Sequence, residues 1–140
     1  MILALRAPPS VEEIRQAVTR RAARYGLRLA VLFGSMARKA TTEHSDVDLA
    51  LLADGPIDVD RLYDELAEEL RFDAVDVVDL FTAPALLAFH ALRQCVPLFE
   101  DRPERYSACL NLSARMSSDS AWTDRFKEAY IDRILERLRT

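Results

Sequence analysis

Asp46 and Asp48 stand two residues apart at the mouth of an apolar run, DVDLALLA, residues 46–53. Side chains on a strand alternate, so both carboxylates point to one face and lie close together. Like charges held that near oppose one another's ionisation unless a cation sits between them. A hard divalent ion is the usual remedy, because it takes oxygen ligands and keeps part of its shell for water or phosphate. Asp76 offers a third carboxylate in another apolar run, AVDVVDLF, residues 74–81, expected to lie beside the first. Asp73 and Asp79 compete with it, but alternation puts those two on the opposite face of a regular strand. Three carboxylates on neighbouring strands can hold two ions, the arrangement that clamps attacking and leaving oxygens during displacement at phosphorus.

Gly34-Ser35, which closes the apolar run RLAVLF, supplies the other half of such a site. Gly34 lets the backbone approach a phosphate closely, and the amides of a short helix through MARKA would donate to it. Ser35 adds a hydroxyl, and Arg38 a fixed cation about one turn further on. The other polar side chains carry weaker signals. His44 lies in the unpatterned stretch TTEHS and reads as an exposed loop residue, while Tyr63 and His90 fall in helical patterns and read as packing residues.

Positioning these groups requires an alternation of strands and helices. Ser10 with Glu13 forms a capping box ahead of Val11, Ile14, Val18, Ala22 and Tyr25 at helical spacing, and Gly26 stands where a left-handed cap is wanted. RLAVLF, residues 28–33, is continuously apolar and reads as a strand covered on both faces. A helix over 58–72 follows Gly55-Pro56, with Leu62, Leu66 and Leu70 on one side. Beyond the third strand, Pro84 suits the first position of a helix through Gln94, VPLFE reads as an edge strand because Pro97 cannot donate to a ladder, and residues 103–116 are again helix-like. Trp122, Phe126, Ala129, Tyr130, Ile134 and Leu138 keep an apolar stripe through a final helix. Strands alternating with helices argue for an α/β layer.

The chain of 140 residues, half of them hydrophobic, is enough for one domain with a core. A net charge of −4, with the basic residues dispersed, disfavours bulk binding to a nucleic-acid backbone. Cys95 and Cys109 are too few and too far apart for a zinc set. No apolar run approaches the roughly 20 residues that span a bilayer, so a soluble cytoplasmic protein is expected.

Gly34-Ser35, ten intervening residues and Asp46-x-Asp48 together resemble the signature of the polymerase-beta-like nucleotidyltransferases. FGSMAR with SDVDLALL is similar to the minimal nucleotidyltransferase branch of that superfamily, and the likeness runs over about 11–100, taking in VDVVDL and LLAFHALRQCVPLFE. Lys39 and Cys95 stand where the branch usually has glycine. The resemblance implies an α/β (α+β) fold, a small mixed sheet with helices packed on one face, with a nucleotidyltransferase domain over 1–100 and a helical extension over 101–140. It also implies transfer of AMP from ATP with two Mg2+ ions. Asp46 and Asp48 would hold both ions and Asp76 the catalytic one, with Gly34, Ser35, Arg38 and Ser45 on the nucleotide. In the better understood members the acceptor is a tyrosine of a HEPN-domain ribonuclease toxin, and the nucleotidyltransferase is its antitoxin, so a homodimer or a hetero-oligomer with the toxin is compatible. Two rivals remain: a small-molecule acceptor, as in the aminoglycoside-modifying relatives, and a non-catalytic antitoxin that works by occlusion.

Overall fold

The structure, a computed structural model, describes residues 7–37 and 46–118. Ser10 begins the first helix, α1 (Val11–Tyr25), through its side chain: Ser10 Oγ accepts from the Glu13 amide at 3.1 Å, and Glu13 Oε1 accepts from the Ser10 amide at 3.1 Å. Gly26 ends it at φ +64°, a conformation in which a side chain would be strained. The expected capping box and left-handed cap are therefore both present.

From there the chain forms β1 (Leu27–Phe33), β2 (Val47–Ala53), α2 (Val59–Leu70), β3 (Val75–Asp79), α3 (Ala85–Arg93), β4 (Val96–Glu100) and α4 (Arg105–Ser118). The four strands lie in the order β3-β2-β1-β4. β1 runs antiparallel to both β2 and β4, whereas β2 and β3 are parallel, with α2 as the crossover that a parallel pair requires. β4 is an edge strand, as Pro97 demands, and its pairing slips between Ala30 and Val31, next to the proline. Pro84 sits one place outside the expected position, as the residue that precedes α3.

Helices on one face of the sheet are found as expected: α1 and α2 pack Ile14, Val18, Leu62 and Leu66 on Ala30, Leu32, Leu49 and Leu51. The other face is covered too. Leu87, Ala91 and Leu92 of α3 lie on Leu29, Val31, Phe33, Ala50 and Val78, and α4 packs on α3. The reason is already in β1 and β2, whose continuous apolar runs expose carbon on both sides of the sheet unless each is roofed. A helix-to-helix clamp holds the first roof, with Arg21 between Glu65 at 3.4 Å and Glu69 at 2.6 Å, and the Tyr25 hydroxyl donating to Glu65 at 2.5 Å.

Among the described residues, positive φ outside glycine occurs at Arg71 and Glu104, so Cys95 adopts a backbone that asks for no glycine. No helix among them is long and apolar enough to cross a membrane. The Trp122 to Leu138 stripe and Lys39 lie outside the described residues.

Core and surface leucines should separate cleanly by this architecture. Leu66, with no exposed area, should cost about 2–5 kcal/mol as Leu66→Ala. Leu112, about half exposed on α4, should cost no more than about 0.5 kcal/mol as Leu112→Ala. Equilibrium urea unfolding of the two variants beside the parent reads both values.

Candidate active site

Register is what assembles the site. The antiparallel ladder pairs Phe33, the last residue of β1, with Asp48, and the parallel ladder pairs Asp48 with Asp76. The turn after β1, the aspartate of β2 and the aspartate of β3 thus form one row across three strands. By alternation this row belongs to the face that α3 covers further along, the face of Val31, Ala50 and Val78. Asp46 stands one residue before β2 and shares that parity.

Gly34 has φ +79°, and a methyl group added there would overlap the Asp48 carboxylate at Oδ2. Glycine is demanded twice, by the backbone conformation and by the space. The close approach expected of a phosphate is here made first by a carboxylate, which sits in the hollow left by the missing side chain. Asp48 itself is only 3% exposed, the one buried carboxylate among the described residues.

The three aspartates act on one another. Burial pushes the Asp76 carboxyl above the ordinary carboxylate range and the Asp46 charge pushes it further, while a hydrogen bond with the Asp48 side chain works the other way. Burial also raises Asp46. Among the described residues no three Asp, Glu, His or Cys side chains converge as a ready-made ion cage. The donor set nevertheless suits a hard divalent ion: all oxygen, two members in direct register, and at Asp76 a neighbouring negative charge, that of Asp46, which a cation would relieve.

The competing aspartates have other work. Asp79, in register with Leu51 at the far end of β3, accepts from the amides of Ile57 and Phe81, each at 3.0 Å. Asp73 precedes β3, and its carbonyl accepts from the Tyr63 hydroxyl at 2.8 Å. Ser35 to Ala37 form a turn, with Ser35 partly exposed and Met36 in the core. Arg38, His44 and Ser45 lie outside the described residues, as does the rest of the expected MARKA helix. His90 is partly buried at the flank of α3 with Phe89 edge-on to it, in keeping with a packing role. Sequence reasoning missed the polar half of Tyr63, since a tyrosine at helical spacing carries no sign of which carbonyl it will meet.

Comparison with known proteins agrees with this geometry. The chain matches the family model described as polymerase beta, nucleotidyltransferase over residues 16–104. No curated protein matches it by sequence. A crystal structure of a toxin-antitoxin with AMP-PNP is similar with a TM-score of 0.68 and 25% identity, over 86% of this chain and 98% of that one. A mutant MntA-HpeT toxin-antitoxin gives a TM-score of 0.68 and 26% identity over 91% and 98% of the two chains. A complex of tri-AMPylated Shewanella oneidensis HEPN toxin with MNT antitoxin shares the fold, with a TM-score of 0.65 and 23% identity over 90% and 99%. The matched stretch contains the Gly34 turn and the strands bearing Asp48 and Asp76, and the chain belongs to the polymerase beta nucleotidyltransferase family.

Proposed function

We propose that this chain is a Mg2+-dependent adenylyltransferase that acts as an antitoxin, transferring AMP from ATP to a tyrosine hydroxyl of a HEPN-domain ribonuclease toxin in the cytoplasm. The observation that carries the chemistry is the row formed by Gly34, Asp48 and Asp76 across three paired strands. The acceptor class is supported by similarity to toxin-antitoxin structures at 25% and 26% identity, the first of them with AMP-PNP.

Asp46, Asp48 and Asp76 supply the oxygen ligands for two Mg2+ ions. Bound there, the ions neutralise triphosphate charge and lower the pKa of the attacking hydroxyl. The Gly34 turn and the Ser35 hydroxyl face the triphosphate, and Arg38 and Ser45 complete the nucleotide side. In the reaction, the tyrosine oxygen bonds to the α-phosphorus, the bond to the bridging oxygen of the β-phosphate breaks, and pyrophosphate leaves. Asp76 is also the carboxylate placed to help accept the phenolic proton. Residues 1–100 form the transferase unit and 101–140 its helical extension.

Intact mass of the HEPN partner, after incubation with this protein, ATP and Mg2+, tests the reading. One or more AMP units should be added by the parent, and the Asp46→Asn, Asp48→Asn variant, which removes ion ligands outright, should lower the rate by more than about 100-fold, the upper end for residues that merely stand behind such ligands. An unmodified partner that both proteins bind equally would instead make the chain an occluding antitoxin.

A second test uses stability. The folded pKa values of Asp46 and Asp76 lie above their unfolded ones, so the folded state holds those protons more tightly. Without metal, these two carboxyls should contribute stability as pH falls through that window and lose it above, a contribution read as the difference between parent and variant. Asp76→Asn removes a half-buried charge from the cluster, and its melting temperature at pH 7 without metal should exceed the parent's while AMP transfer is lost. Scanning calorimetry between pH 4 and pH 8, with and without Mg2+, reads this, and a lower melting point for Asp76→Asn at pH 7 would contradict it.

A further inference from the structure

The Tyr63 ring packs under α2 against the core, but its hydroxyl reaches out of that packing to the Asp73 carbonyl, 2.8 Å away. The next carbonyl along, that of Ala74, accepts from the Val47 amide at 2.8 Å. Two successive carbonyls at the entrance to β3 are therefore held from two directions, one by α2 and one by the aspartate strand. Val47 lies between Asp46 and Asp48, and Asp76 follows Ala74 by two residues.

Among the described residues β3 is an edge strand, paired with β2 alone. Its far end is secured by Asp79 on the amides of Ile57 and Phe81, and by the Leu80 amide on the Leu51 carbonyl at 2.8 Å. Its near end, where Asp76 stands opposite Asp48, has the Ala74 bond and the Tyr63 bond ahead of the ladder. The phenol is a lasting donor there: burial raises its pKa, and the nearby charges of Asp73, Asp64 and Asp76 raise it further, so it keeps its proton at neutral pH.

We infer that Tyr63 is a positioning residue for the transfer reaction: by holding the Asp73 carbonyl it fixes the entrance of β3, and with it the placement of Asp76 against Asp48. The inference rests on the reading of Asp46, Asp48 and Asp76 as ion ligands. Residues that bond a metal ligand govern affinity because they restrict where its oxygens can go, and Tyr63 acts a step further back, through the backbone three residues before Asp76.

Tyr63→Phe keeps the ring and removes only the donor. Tyr106→Phe is a matched control, since the Tyr106 hydroxyl donates to the Leu92 carbonyl at 2.5 Å between α4 and α3. Mn2+ binding to the full-length proteins, read from the electron paramagnetic resonance of the free ion, is measured beside melting temperature and the Mg2+ dependence of AMP transfer. Tyr63→Phe should weaken Mn2+ binding about tenfold, the low end for residues behind the ligands, and raise the Mg2+ concentration for half-maximal rate, with the rate largely restored at saturating Mg2+. Tyr106→Phe should lower the melting temperature and leave Mn2+ affinity unchanged. Equal Mn2+ affinity for Tyr63→Phe and the parent would overturn the positioning role. A parent whose Mn2+ binding is no weaker in Asp48→Asn would overturn the ligand reading itself, and the inference with it.

Discussion

The approach of the Asp48 carboxylate to Gly34 is the constraint around which the rest is arranged. A buried carboxylate beneath a left-handed backbone turn is possible only because Gly34 carries no side chain, and it occurs only because β1 and β2 pair with Phe33 opposite Asp48. A slip of one residue in that ladder would turn Asp48 to the face packed by α1 and α2, among Leu49 and Leu51. The cost of placing an ionisable group in that layer keeps the register where it is.

The same ladders explain why so small a sheet needs helices on both sides. Leu29, Val31 and Phe33 face one way and Ala30 and Leu32 the other, so β1 must be roofed twice. The aspartates occupy the end of one face, with Asp48 in register with both Phe33 and Asp76. The apolar middle of the sheet gives rigidity to strands whose ends carry crowded charge. Asp76 and Asp46 hold their protons more tightly than ordinary carboxylates, which is stability given up at neutral pH for a cluster of donors a divalent ion would favour.

Much of this was legible from local chemistry. The Ser10–Glu13 box, the Gly26 cap and the edge position forced by Pro97 each follow from geometry within a few residues, and each is present. Asp76 was separable from Asp73 and Asp79 by alternation together with the family resemblance, though its direct pairing with Asp48 rests on the parallel register.

The sequence by itself determined the residue types, their faces and the spacing that marks the family, because periodicity and turn chemistry act over short stretches of chain. Only the tertiary structure decided that the second face of the sheet is covered by α3 and α4, that the hollow at Gly34 is filled by Asp48, that Asp79 secures a strand end, and that Tyr63 reaches the entrance of β3. Each of these depends on two segments meeting whose separation in the chain is set by packing and strand register. No rule of local spacing specifies which carbonyl or carboxylate a side chain will find there.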